Sequence, residues 1–167
     1  MKETNWTKWS SIAEIISSIA ILITLVYLAI QTQQNTEATI ASTRHAVIET
    51  DLNIIQFLVN NPSIDLSFGK QELSPVEKSQ LENFLIAMAR TREHQWLQYK
   101  NNLLDEQTLE AYLTGLTINI SYPITRKWWE LASYDYFDDE FVDEINIRLK
   151  DLPVKNYQSP FDRIESL

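Results

Sequence analysis

The stretch that decides the fold is residues 12–30, IAEIISSIAILITLVYLAI, nineteen residues with one formal charge, Glu14. At about 1.5 Å per residue such a helix is about 28 Å long, close to the hydrocarbon thickness of a bilayer. Trp6, Trp9 and Tyr27 lie toward its ends, where amphipathic rings prefer to sit. A core helix of a soluble protein keeps a polar face, and residues 19–30 have almost none. A cleaved signal sequence would have a basic start and small residues after the apolar run; here Glu3 and Glu14 dilute the charge and Gln31-Thr32-Gln33-Gln34 follows. The segment is therefore expected to be a single membrane anchor within residues 1–34.

Small and polar residues recur along one side of that helix: Ser10, Ala13, Ser17, Ala20 and Thr24. Their alternating gaps of three and four trace one face, and small side chains there let two backbones approach closely. The expectation is a homo-oligomer formed through the membrane helix. Glu14 borders this face. A carboxylate facing lipid costs about 2.5–3.5 kcal/mol at the bilayer centre and less near its edge. Two readings stand: Glu14 reaches water at the membrane surface, or it lies in the helix–helix seam.

Outward from the anchor, residues 31–60 contain neither Pro nor Gly, and Ile40, Val47, Ile48, Leu52, Ile55 and Val59 recur at helical spacing until Asn60-Asn61-Pro62 stops the helix. A helical stalk over residues 35–61 is predicted, continuous with the anchor, about 73 Å of helix in all. Ser74-Pro75-Val76-Glu77 is a capping box with proline in the first turn. It opens a helix to about Asn101 with the stripe Leu81, Leu85, Met88, Trp96, Tyr99 and Leu103. Asp105 caps another through Leu109, Tyr112, Leu113 and Leu116. Pro123 starts one with Trp128, Trp129 and Leu131. Asp138 or Asp139 caps the last, with Phe141, Val142, Ile145 and Leu149, and with Arg148 and Lys150 at its C-terminal end, as the helix dipole prefers. The fold class expected is all-α: a single N-terminal transmembrane helix continuing into a stalk, followed by a small antiparallel helical bundle over residues 62–152. The tail, residues 153–167, has no clear period and is either loose or clamped onto a neighbour.

The net charge of −9 is unevenly spread. Residues 1–30 sum to zero; residues 31–104 carry six basic and eight acidic groups, −2; residues 105–167 carry six and thirteen, −7. So acidic a surface repels phosphate backbones, which argues against general nucleic-acid binding. There is no cysteine, so disulfides, thiol chemistry and Cys-based metal sites are excluded. His45 and His94 are the only histidines. Glu49 lies one turn from His45, but no Glu-x-x-His or His-x-x-x-His occurs, and neither a metal nor an organic cofactor is expected. No glycine-rich phosphate loop and no nucleophile motif is present.

Arg92 interrupts the apolar stripe between Met88 and Trp96. It either pairs with an acid from another helix, its stem packed on Trp96, or joins Arg90 and His94 in a pocket for a small anionic ligand. Arg126 and Lys127, beside Trp128 and Trp129, would suit a phosphate or a lipid headgroup, or else mark the edge of the bundle core.

Thr24-Leu25-Val26-Tyr27-Leu28-Ala29-Ile30-Gln31 with Asn35-Thr36, then Gln98-Tyr99 with Leu103-Leu104-Asp105-Glu106, then Pro123, Arg126 and Trp128-Trp129-Glu130 form a pattern spanning roughly residues 6–145. In these residues the chain resembles a widespread set of small bacterial proteins with one N-terminal membrane helix and a helical domain. The resemblance implies a bacterial inner-membrane location and no activity. Those proteins carry Arg where this chain has Gln33, which would favour a cytosolic domain, whereas Lys2 and Lys8 place the N-terminus in the cytosol; the side of the domain stays open. They also carry Gly at the position of Asn102, and Asn tolerates the left-handed end of a helix.

Function is expected to be non-enzymatic: a membrane-anchored oligomer whose helical domain senses a ligand or docks a protein partner and relays this to the membrane, as a signalling, stress or defence effector would. The alternatives are a scaffold or accessory subunit of a larger membrane complex, and an enzyme using the Arg90–His94 region.

Overall fold

A computed structural model of the chain describes residues 3–157 and 164. Among them are six α-helices and no strand: α1 (Glu3–Asn60), α2 (Pro62–Ser67), α3 (Pro75–Lys100), α4 (Glu106–Ile120), α5 (Pro123–Tyr136) and α6 (Asp139–Lys150). The protein is all-α. The chain divides into two units, residues 1–42 and residues 43–167.

The described residues of the first unit are all helical, and α1 is long and apolar enough to cross a membrane. With no water to serve them, hydroxyl groups in such a segment need partners within the helix. Ser18 Oγ donates to Glu14 O at 2.8 Å and Thr24 Oγ1 to Ala20 O at 2.9 Å, bonds that leave no orphan donor at either position.

In the second unit, every helix start after Pro62 carries the local chemistry that explains it. The Ser74 hydroxyl accepts from Glu77 N–H while the Glu77 carboxylate accepts from Ser74 N–H at 2.9 Å, the reciprocal capping box. Asp105 accepts from Thr108 N–H at 2.9 Å, and Asp138 accepts from Glu140 and Phe141 N–H. At the other end of α3, Asn102 has φ 58°, and Leu103 N–H reaches Gln98 O and Asn102 N–H reaches Tyr99 O, both at 2.9 Å. This is a Schellman ending, and Asn is the non-glycine residue that best tolerates its left-handed position. The turn of residues 101–105 then folds α4 back onto α3, its closest partner.

The capping box has an acid-dependent component. The Lys70 ammonium first, and then the Ser74 backbone and hydroxyl, hold the Glu77 carboxyl well below its usual 4.5, at about 2. A lowered folded-state pKa stabilises above the unfolded value and loses that contribution as pH falls through the folded one. The Glu77→Gln variant is therefore expected to show a flatter loss of melting temperature than the wild type between about pH 4.5 and 2, read from parallel thermal melts; coincident curves would contradict this role.

The core is built from Leu81, Phe84, Leu85, Met88 and Trp96 of α3, Leu109, Leu113, Leu116 and Ile120 of α4, Trp129 of α5, and Phe141, Val142, Ile145 and Leu149 of α6. Leu131 departs from expectation: it is 83% exposed, because α5 turns Thr125, Trp129 and Ser133 inward instead, residues spaced by four. The helical segment expected to be stalk also differs. From residue 43 onward it belongs to the bundle unit, with Val47 buried and Ile54 and Leu58 packed on the core. Of the other apolar residues expected to form its stripe, Ile48, Leu52, Ile55 and Val59 stay exposed. The six-residue α2 after the Asn60-Asn61-Pro62 stop supplies Ile64 to the core, and Phe68 follows it. The described part of the tail is clamped: Lys155 N–H donates to Ser121 O at 3.0 Å, and Tyr157 packs on Phe68 and Tyr122 with its hydroxyl on Asp65 at 3.0 Å.

Candidate functional site

The five cationic and imidazole residues singled out from sequence do not converge. Arg92 faces α1, where its Nη1 meets Asp51 Oδ1 at 2.6 Å; the same nitrogen donates to Gln95 Oε1 on its own helix at 3.1 Å, and the guanidinium lies 4.8 Å over the Tyr112 ring. Burial, and then the nearby Asp51 carboxylate, push the Tyr112 hydroxyl above its ordinary pKa. The arrangement is an ion pair between helices, closed by an aromatic face.

Arg90 points to the α5–α6 turn. It pairs with Glu93 at 2.6 Å, donates to Tyr136 O, and lies 5.2 Å from the Phe137 ring centre. Glu93, 5% exposed, accepts in turn from Asp138 N–H at 2.6 Å. His94 is exposed and shares a 3.0 Å hydrogen bond with Gln98. Arg126 donates to Leu149 O and Leu152 O, so it caps the end of α6. Lys127 stands apart, lining a cleft with Lys70, Phe68 and Tyr157. Each of the three guanidinium groups thus already serves a neighbouring helix or turn, and the histidine opens to solvent.

The acidic face is organised in the same way. Arg148 makes a bidentate contact with Glu110, both bonds 2.6 Å, and reaches Glu144 at 2.8 Å, tying α4 to α6. That guanidinium lowers the Glu110 pKa. Among the described residues no group of three or more His, Asp or Glu side chains could hold a metal ion.

What the second unit does offer is an uncharged groove of about 440 Å³ between α1 and α3. Its floor is Ile54, Ile64, Phe84 and Met88, and the Phe57 and Phe84 rings stack 6.3 Å apart along it. Asn53, Asn61, Gln80 and Asn83 ring its mouth with carboxamides, each both donor and acceptor. This combination of an apolar bed and a few polar rim groups is the make-up of a small-molecule site. No charged side chain lines it. The volume lies at the lower end of the range for such sites.

The spacing of apolar residues did not announce the groove. Ile54 and Phe57 lie off the stripe that the α1 spacing suggested, and Ile64 belongs to α2, too short to announce itself by periodicity. No protein family, no curated protein and no solved structure matches the chain.

Proposed function

We propose that the chain is a non-enzymatic, single-pass protein of the bacterial inner membrane that assembles with copies of itself through Ser10, Ala13, Glu14, Ser17, Ala20 and Thr24. Its helical domain takes a neutral small ligand in the α1–α3 groove and relays occupancy to the membrane, as a signalling, stress or defence effector does. The observation that carries the reading is the groove itself: an apolar floor, a carboxamide rim and no charged group or nucleophile activated by a neighbouring base. A site so composed binds and does not transform. An anchor on one helix and a recognition groove on the bundle divide the labour of a membrane receptor.

The test is native mass spectrometry of the full chain extracted into lipid nanodiscs. A small neutral molecule is expected to travel with the wild type and to be lost from Ala87→Trp, which fills the groove from its exposed α3 wall. A ligand retained equally by the variant would place binding elsewhere. A protein partner co-purifying in fixed ratio, with no small molecule, would favour the scaffold reading instead.

A further inference from the structure

The portion of α1 that belongs to the bundle has a second surface, unrelated to the groove. Ile48, Leu52, Ile55 and Val59 are 54%, 60%, 55% and 73% exposed, and their gaps are four, three and four. The mean spacing is that of a coiled-coil seam, in which apolar side chains repeat about every 3.5 residues. Val47, Asp51, Ile54 and Leu58, which face the domain's own core or the Arg92 pair, lie about 100° away around the helix. The domain therefore leaves the four side chains in water. A contiguous apolar face of this kind is what a partner surface covers.

We infer that this face is the seam of a parallel coiled coil with a second copy of the chain. Counted back from Ile48 in the same alternation, the register passes through His45, Ala41 and Ala38. Four steps further it falls on Thr24, the last member of the Ser10–Ala13–Ser17–Ala20–Thr24 series. One heptad register thus runs through the membrane segment and the bundle segment. An unrelated partner has no reason to follow it. A second copy does, because two anchors inserted with the same topology are parallel and carry Ile48 at the same chain distance from the membrane.

The flanking charges agree. Arg44 and Glu49 occupy the two positions, five residues apart, that bridge neighbouring chains in a parallel coiled coil. Arg44, its side chain 56% exposed, meets Asp105 at 3.1 Å on the surface and retains donors for a second acid. The inference rests on the self-assembly proposed above and adds where, outside the membrane, the copies meet.

The absence of cysteine makes the test direct, because any introduced thiol is the only one in the chain. Single cysteines in the full chain, oxidised mildly in native membranes, are expected to give disulfide dimers at Leu52→Cys and Ile55→Cys. The yield should be about tenfold above that at Thr50→Cys and Asn53→Cys, which lie on another side of the same turns. All four positions are surface-accessible, so folding is preserved. Ala20→Cys reports the membrane segment separately. Crosslinking at Ala20→Cys with no preference among the four bundle positions overturns this inference and leaves membrane assembly standing. Dimers at none of the five positions overturn both. Adducts at Leu52→Cys heavier than twice the chain mass would assign the face to a different protein and overturn the second-copy reading.

Discussion

Replacing Trp129 by alanine is expected to cost about 3–5 kcal/mol, the range for emptying a buried aromatic site. Trp129 is 1% exposed and is the largest fully buried side chain. Its ring stacks on Phe137 at 5.6 Å and meets Phe141 edge-on at 6.5 Å, while Nε1–H donates to Asn146 Oδ1 at 3.0 Å. Alanine removes the ring from a three-way aromatic junction between α5 and α6 and leaves the Asn146 acceptor without its donor. Against a total domain stability of about 5–15 kcal/mol that is a large fraction of what holds the bundle folded. Trp129→Phe keeps most of the volume and loses the hydrogen bond, so a smaller loss, about 1–2 kcal/mol, is expected. Urea unfolding in detergent, followed by far-ultraviolet circular dichroism, checks both. Midpoints for Trp129→Ala and Trp129→Phe that coincide would show that the indole does not hold the junction.

Arg92→Leu is expected to cost about 2–4 kcal/mol, near the lower end for breaking a buried ion pair, because the Asp51 side chain remains 27% exposed and water relieves part of its isolation. The loss comes less from the missing attraction than from a carboxylate left against Tyr112 and the α3 surface without a cation. The double variant Asp51→Leu/Arg92→Leu should therefore recover most of it. The same urea titrations, with Asp51→Leu as the fourth corner, measure this as a double-mutant cycle. If the double variant is less stable than Arg92→Leu alone, the pair does not act through mutual neutralisation. Because Arg92 is engaged inside the bundle, these variants are expected to leave a ligand in the α1–α3 groove in place wherever the domain still folds.

How much of this was legible in the sequence divides along a physical line. Helix starts could be read because their chemistry is local: Ser74 with Glu77, Asp105 with Thr108, and Asp138 each satisfy backbone donors within three residues. The left-handed conformation at Asn102 was legible through the resemblance alone, whose members carry Gly at that position. Arg92 stood out because a cation within an apolar stripe demands an acid, but nothing local said that the acid was Asp51 on another helix. The face of α1 was harder. Residues 47, 54 and 58 and residues 48, 52, 55 and 59 make two overlapping apolar stripes of the same period, and only the tertiary packing of α3 decides which turns inward. The groove was invisible for a related reason, since it exists only where Phe57, Phe84 and Ile64 from three helices meet. Leu131 shows the opposite error: a leucine one turn from two tryptophans looks like core until the inward line of α5 is seen to pass through Thr125 and Ser133.

One helical segment, residues 48–60, lines the groove with Ile54 and Phe57 and presents Leu52 and Ile55 on a different side. Two ligands of one rigid element share a free energy. If a molecule in the groove favours one rotation or tilt of this segment, it changes the affinity of the outer face for its neighbour by some factor, and the neighbour must change the molecule's affinity by that same factor. On the function proposed above, occupancy of the groove would then depend on how densely copies of the chain are packed together.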